Sequence, residues 1–116
     1  MTIKIAIAGV GGRMGQALLR AADAATPVVG ASERPGSPWL DQPLPAPFGA
    51  IRPQALAFEA ARDAEVWIDF TTPQAALAAL EGLAGTHVRA AVIGATGFTS
   101  EQDAQIAQHA RRIAIV

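Results

Sequence analysis

Residues 3–15, IKIAIAGVGGRMG, decide the fold predicted for this chain. They open with the short apolar run 3–8, which is typical of a strand buried on both faces of a parallel sheet. Three glycines follow this run at three-residue spacing, Gly9, Gly12 and Gly15, and Gly11 is an additional glycine among them. Residues 16–22, QALLRAA, have a composition that favours helix. The segment therefore predicts a strand, a glycine turn and a helix in that order.

This order is the context in which a glycine pattern indicates a dinucleotide-binding turn. Gly9 would permit the sharp turn off the strand, and Gly15 would let the helix pack closely on the sheet. Gly11 and Gly12 would let a pyrophosphate approach the backbone, where the helix N-terminus favours phosphates. The spacing is G-x-x-G-x-x-G, because Met14 occupies the last glycine position of the commoner G-x-G-x-x-G. The alternative interpretation is a tight turn that needs glycine only for its conformation.

The second predicted strand, residues 28–32, ends directly before a pair of opposite charges. Glu33 lies 18 residues beyond Gly15, where a dinucleotide-binding fold places an acidic residue for the adenosine ribose hydroxyls. Arg34 follows, and a guanidinium there could bind the 2′-phosphate of NADP. The pair predicts binding of both NADH and NADPH. Two solvated charges at a strand end are the alternative.

The remaining chain alternates between predicted strands and helices, apart from residues 35–53. That segment contains six prolines, which exclude a long helix or an inner strand, and we expect a surface loop with Trp39 and Leu40 folded back onto the domain. We expect further strands near residues 50–51, 65–70, 88–93 and 113–116, and helices at 13–25, 54–63, 73–83 and 99–111. The alternation predicts an α/β fold of Rossmann type, a doubly wound parallel sheet with right-handed crossovers. Residues 1–116 are expected to form a single dinucleotide-binding domain.

The predicted strand 65–70 ends in polar residues at the edge where open α/β sheets bind ligands. Thr72 can cap the next helix, whose first position is Pro73. Asp69 could be a catalytic acid, but we favour a carboxylate that accepts hydrogen bonds from loop N–H groups.

Composition limits the classes of partner. The chain has 116 residues, a net charge of −1 and no cysteine. Charged residues make up only 16%, so we expect no nucleic-acid partner and no anionic membrane surface. No cysteine-ligated zinc or disulfide can form, which fits a reducing compartment. The chain lacks a signal-peptide pattern and an apolar run long enough to span a membrane, so we expect a cytoplasmic protein.

Three segments together resemble one family: AGVGGRMG at 8–15, IDFTTP at 68–73 and VIGATGF at 92–98. They are similar to the N-terminal domain of dihydrodipicolinate reductase (4-hydroxy-tetrahydrodipicolinate reductase), an enzyme of lysine and diaminopimelate biosynthesis. The pair Glu33-Arg34 and the following Gly36-Ser37 match the same family pattern. The resemblance covers essentially the whole chain.

The resemblance implies roles for individual residues in binding NADPH or NADH. The residues around the pyrophosphate would be Gly9, Val10, Gly11, Gly12, Arg13 and Met14. Glu33 would hold the adenosine ribose, with Arg34 beside the 2′ position. The residues on the nicotinamide side would be Gly94, Ala95, Thr96, Phe70 and Thr71. Ala95 departs from the family, which usually has threonine there, and we expect a small effect because the backbone groups remain.

The resemblance also shows what this chain lacks. The family continues beyond the position of Val116 into a substrate domain, which carries a histidine-rich motif with a lysine and builds a homo-oligomer. His87 and His109 do not match that motif, and the chain has no catalytic constellation or metal-ligand cluster. We therefore expect the chain alone to bind the cofactor without turnover. The small dicarboxylate substrate would bind only with the missing domain.

Two other functions share parts of this pattern. A stand-alone nucleotide-binding or redox-sensing module would keep the glycine turn and Glu33 but have no catalysis of its own. A methyltransferase that uses S-adenosylmethionine also has a glycine-rich first turn and an acidic second strand end. The helix entry Arg13-Met14-Gly15 and the turn at 94–97 argue against a methyltransferase.

Overall fold

A computed structural model describes all 116 residues. The chain forms five strands and four helices. In chain order these are β1 (Ile5–Ala8), α1 (Arg13–Ala21), β2 (Val28–Ser32), α2 (Ala57–Ala60), β3 (Val66–Asp69), α3 (Pro73–Gly82), β4 (Ala90–Ile93), α4 (Ser100–His109) and β5 (Ala114–Ile115). All strands are parallel, in the order β2-β1-β3-β4-β5. No helix is both long and apolar enough to cross a lipid bilayer.

The order of the strands reverses direction at β1. The chain leaves β1 for β2 on one side and returns to β3 on the other, so β1 lies between them. Ala8, the last residue of β1, pairs with Ser32 of β2 and Asp69 of β3. The carboxyl ends of three strands therefore meet at the point where such sheets bind ligands. This topology confirms the predicted Rossmann-type fold.

Helices cover the two faces of the sheet unequally. One face packs on α1 through Ile7, Val10 and Leu19. The other face carries α2, α3 and α4 over a core that is rich in alanine and contains Trp67 as its largest side chain. Alternate residues of β1 point into these two cores, as expected for a strand that is buried on both faces. At Gly30 a Cβ would overlap the carbonyl of Ala60, so only glycine lets α2 lie this close to β2.

Several elements differ from their predicted bounds. The strand expected near residues 50–51 is not formed, and Gln54 instead makes an isolated parallel bridge to Ser32. The pairing is limited to this single residue, and the Pro53 carbonyl instead accepts a hydrogen bond from the Asp41 N–H at 2.9 Å. The helix expected at 54–63 is reduced to Ala57–Ala60 because its first residues are extended by this bridge.

The first helix also ends earlier than predicted, at Ala21 rather than Ala25. Asp23 explains this end, because its Oδ1 accepts hydrogen bonds from the N–H groups of Ala25 and Thr26 at 2.9 and 3.0 Å. The side chain thus satisfies backbone donors that helix would otherwise have used, which is how aspartate favours turns over helix interiors.

Residues 35–53 contain no helix or strand and lie on the same face as α1. Leu44 is buried in the core of that face, and Trp39, Phe48 and Ile51 pack against it. Trp39 therefore folds back onto the domain as predicted. The consequence is that an aromatic side chain of this loop lies next to the glycine turn.

Candidate functional site

A cavity of about 850 Å³ lies at the carboxyl edge of the sheet. Its walls come from the glycine turn after β1, the residues after β2, and the facing surfaces of α2 and α3. The volume is within the range of small-molecule and cofactor sites. The residues that line it include Gly9, Gly11, Gly12, Glu33, Arg34, Trp39, Phe70 and Thr71.

Backbone hydrogen bonds to the end of β2 and close backbone packing fix the conformation of the glycine turn. Gly9 has a positive φ of 67°, which glycine adopts without strain. Its N–H and that of Val10 both donate to the carbonyl of Ser32, at 2.9 and 3.2 Å. A Cβ added to Gly15 would lie 2.5 Å from the Gly9 carbonyl oxygen, so glycine is required where α1 packs on the turn. Glycine thus has the predicted conformational role at both positions.

The first turn of α1 offers three free donors. The N–H groups of Arg13, Met14 and Gly15 have no acceptor in the protein, and Gly12 at the N-cap has no side chain to supply one. Such N–H groups carry the positive end of the helix dipole. This terminus can therefore accept a phosphate group through backbone donors alone.

Glu33 reaches from the end of β2 to the glycine turn. Its Oε2 accepts a hydrogen bond from the Gly11 N–H at 2.8 Å. Arg34 is exposed, and its guanidinium makes no hydrogen bond or ion pair within the protein. The cavity wall thus presents one carboxylate that is held in place and one guanidinium that is free to bind an anion.

Asp69 at the end of β3 is a buried hydrogen-bonding centre. Its two oxygens accept from the Trp67 indole N–H at 3.1 Å, the Thr71 N–H at 2.9 Å and the Thr71 hydroxyl at 2.5 Å. With these donors, Asp69 stabilises the loop after β3 rather than serving as a free acid. The Thr71 methyl group in turn lies against Gly9, where an added Cβ would be 2.8 Å from it.

Phe70 connects this loop to the turn after β4. Its ring lies so close to Gly94 that any Cβ at position 94 would overlap it. The Gly94 N–H also donates to the Asp69 carbonyl at 2.7 Å. Gly94 therefore supports an aromatic side chain that is 40% exposed at the cavity wall.

The structure brings together about half of the residues that the sequence singled out. On the cavity wall are Gly9, Gly11, Gly12, Glu33, Arg34, Phe70 and Thr71. The others do not line it: Val10, Arg13, Met14, Gly94, Ala95 and Thr96. Val10 is fully buried in the core, whereas Met14 is exposed beside the turn. Cofactor contacts of all these residues stay predictions.

Some cavity residues had no assigned role from the sequence. Trp39 lies over Gly11, and an apolar wall opposite is formed by Leu56 and Phe58, both more than half exposed. The role of Trp39 could not be predicted because the proline-rich segment around it has no helical or strand periodicity. Phe58 lies within α2, and its exposure follows from the tertiary structure rather than from any sequence pattern.

The sequence of the chain matches, over residues 3–116, the family described as "Dihydrodipicolinate reductase, N-terminus". The chain belongs to this family. The resemblance predicted from the sequence is thereby confirmed. Members of the family bind NADH or NADPH through this N-terminal domain, in agreement with the predicted class of cofactor.

Individual relatives agree with this assignment. The chain is 42% identical to the 4-hydroxy-tetrahydrodipicolinate reductase of Thiobacillus denitrificans, covering 100% of this chain and 45% of that protein. It is 44% identical to the enzyme of the same name from Burkholderia orbicola strain AU 1054, covering 98% of this chain and 44% of the relative. The chain thus spans less than half the length of these curated relatives.

A solved structure shows the same fold. The dipicolinate-bound dihydrodipicolinate reductase from Paenisporosarcina sp. TG-14 superposes with a TM-score of 0.69 at 28% identity. The match covers 95% of this chain and 43% of that one.

Proposed function

We propose that this chain is the NAD(P)H-binding part of a dihydrodipicolinate reductase that acts in lysine biosynthesis. The observation that carries the proposal is a cavity lined by the glycine turn and by Glu33, at the turn that leads directly into the three free N–H groups of α1. Bound nicotinamide would supply the hydride, and the protein would supply binding and orientation.

The free N–H groups of Arg13, Met14 and Gly15 are the proposed donors to the pyrophosphate. They combine hydrogen bonding with the helix dipole and need no cationic side chain. Neither Gly11 nor Gly12 offers a free N–H, since these donate to Glu33 and Gly9 respectively. The role proposed for those two glycines is therefore to leave the backbone uncovered by side chains, so that the pyrophosphate can approach it.

Glu33 and Arg34 are proposed to bind the adenosine ribose. A carboxylate favours free ribose hydroxyls, and the unpaired guanidinium of Arg34 favours a 2′-phosphate. The two side chains together support use of both NADH and NADPH. Phe70 and Thr71 would lie on the nicotinamide side, with Gly94 supporting the Phe70 ring.

Turnover is assigned to the whole protein. The proposed reaction transfers hydride to a cyclic dicarboxylate, and no residue of this chain is proposed to bind that substrate or protonate it. His87 and His109 do not line the cavity. The 116-residue chain alone is therefore proposed to bind cofactor without reducing substrate. Homo-oligomer formation likewise belongs to the proposal for the whole protein.

Separate titrations of the purified chain with NADPH and NADH test this function. We expect saturable binding of both, measured as heat or as a change in nicotinamide fluorescence, and no oxidation of bound cofactor when the cyclic dicarboxylate is added. S-adenosylmethionine is the control ligand and should not bind. A folded chain that binds neither cofactor would contradict the proposal, and measurable oxidation would contradict the assignment of turnover to the whole protein.

A further inference from the structure

The space above Gly11 is filled by the side chain of Trp39. A Cβ added to Gly11 would lie 2.5 Å from the Trp39 Nε1 and 2.6 Å from its Cδ1. Real Cβ atoms do not approach other atoms this closely, so position 11 must be glycine to admit the indole. Gly11 therefore makes room for an aromatic side chain of the loop, in addition to any room it makes for a ligand.

The backbone on either side of Trp39 holds the side chain in this position. The Ser37 N–H donates to the Arg34 carbonyl at 3.1 Å, closing a turn with Pro35 second and Gly36, at a φ of 85°, third. This is the residue order of a type II turn. Buried Ser37 then accepts a hydrogen bond from the Trp39 N–H at 3.2 Å. The turn at residues 34–37 thus directs the chain after Glu33 back toward the glycine turn that follows β1.

The indole has one face in the core and one polar atom without a partner. Trp39 packs against the core cluster that contains Val10 and Leu44, and it also lines the cavity. Its Nε1–H donates to no group in the protein, and no side-chain nitrogen or oxygen is both buried and unpaired. The indole N–H is therefore accessible to solvent, on a side chain that lines the cavity. Because the indole nitrogen can only donate a hydrogen bond, any ligand that bonds to it must supply an acceptor atom.

We propose that Trp39 is a cofactor-binding residue whose indole N–H donates to a phosphate oxygen of the dinucleotide at the glycine turn. The inference rests on the proposed function. The acceptors that a dinucleotide brings to this turn are phosphate oxygens, and Nε1 lies on the Gly11 side of the indole. A neutral donor there adds to the free N–H groups of Arg13, Met14 and Gly15 without adding charge beside Glu33.

The test removes the indole N–H donor of Trp39 and keeps an aromatic side chain at this position. In Trp39→Phe we expect ADP and NADPH to bind roughly 10- to 150-fold more weakly, the range for loss of one hydrogen bond to a charged group. Binding of adenosine, which has no phosphate, should not change. Calorimetric titration gives the three affinities, and urea unfolding checks that the variant is as stable as the natural chain.

Fluorescence gives a second readout, which tests whether the cofactor binds beside Trp39. The chain has two tryptophans, and Trp67 is buried with its N–H bonded to Asp69. We expect NADPH to quench Trp39 emission, and Trp39→Phe to lose most of that quenching. Trp67→Phe is the matched control and should retain it.

The outcomes separate this proposal from the proposed function. If the natural chain binds NADPH and Trp39→Phe binds ADP equally well, the role of Trp39 is overturned and the proposed function stands. If Trp39→Phe weakens adenosine as much as ADP, the indole acts by packing and the phosphate contact is overturned. If the natural chain binds neither cofactor, both proposals fail.

Discussion

Glu33 accepts a hydrogen bond from the Gly11 N–H, with 2.8 Å between the carboxylate oxygen and the nitrogen. The contact joins the end of β2 to the turn after β1, across 22 residues of sequence. It places a fixed negative charge at the cavity wall beside the free guanidinium of Arg34. The choice between NADH and NADPH is therefore expected to depend on the balance between these two side chains.

Removing the charge of Glu33 should shift preference toward NADPH. In Glu33→Gln the amide oxygen can still accept from Gly11, but the carboxylate no longer repels a 2′-phosphate. We expect the ratio of NADPH to NADH affinity to rise several-fold, measured by calorimetry at constant ionic strength. Glu81→Gln, an exposed change of equal charge on α3, is the control and should leave the ratio unaltered. An unchanged ratio in Glu33→Gln would show that this carboxylate does not face the 2′ position.

Gly15 and Gly12 provide a matched pair for testing the glycine turn. A Cβ at Gly15 meets backbone atoms of Gly9 and Val10 at 2.5 and 2.7 Å, whereas at Gly12 the nearest atom is 3.4 Å away. We expect Gly15→Ala to lower the free energy of unfolding by about 1–3 kcal/mol, because backbone must move to relieve the overlap. Gly12→Ala should cost no more than about 1 kcal/mol. Urea unfolding measures both, and equal costs would contradict the close packing of α1 on the turn.

Asp69 is predicted to stabilise the fold. Asp69→Ala leaves the buried Trp67 indole N–H and the Thr71 N–H without their acceptor. Each lost partner costs about 1–3 kcal/mol, so the free energy of unfolding should fall by at least that amount. Exposed Asp63→Ala is the control, with an expected change within about 0.5 kcal/mol. If the two variants unfold at the same urea concentration, Asp69 does not have this structural role.

Asp23 should make the end of α1 sensitive to acid. The Thr26 hydroxyl and then the N–H groups of Ala25 and Thr26 donate to its carboxylate, which lowers the pKa of Asp23 below its ordinary value. A lowered folded-state pKa stabilises the fold above the unfolded-state pKa, and this contribution is lost as pH falls through the folded-state value. The stability difference between the natural chain and Asp23→Ala should therefore shrink as the pH drops below about 4. Urea unfolding at neutral and acid pH, with an NMR titration of Asp23, measures this, and a difference that grows in acid would contradict it.

The order of elements could be predicted because its signals are local. The apolar run before Gly9 and the capping residue Thr72 each act within a few residues. The Thr72 and Thr99 hydroxyls accept from Ala75 and Gln102 as helix caps, and Pro73 starts α3 as expected. Such local patterns were enough to predict a parallel sheet with its ligand edge at the glycine turn.

The errors between residues 50 and 56 arose because the conformation of that segment depends on pairing with distant residues. Nothing near residues 50–51 indicates that Gln54, rather than Ile51, will reach Ser32, because the choice is made by the position of β2. The late start of α2 has the same cause. The bridge between Gln54 and Ser32 keeps the residues before the helix extended, so α2 begins only at Ala57.

The sequence by itself determined the class of fold and the sheet edge that binds ligands, through periodicity, glycine spacing and capping within short windows. It indicated the family through the resemblance of three short motifs. Only the tertiary structure decided that Trp39 fills the space above Gly11 and that Phe70 lies on Gly94. It also decided that Glu33 bonds to Gly11, which leaves the α1 N–H groups as the free donors. The physical reason is that these contacts join residues more than 20 positions apart, and which of them form depends on how all the elements pack at once.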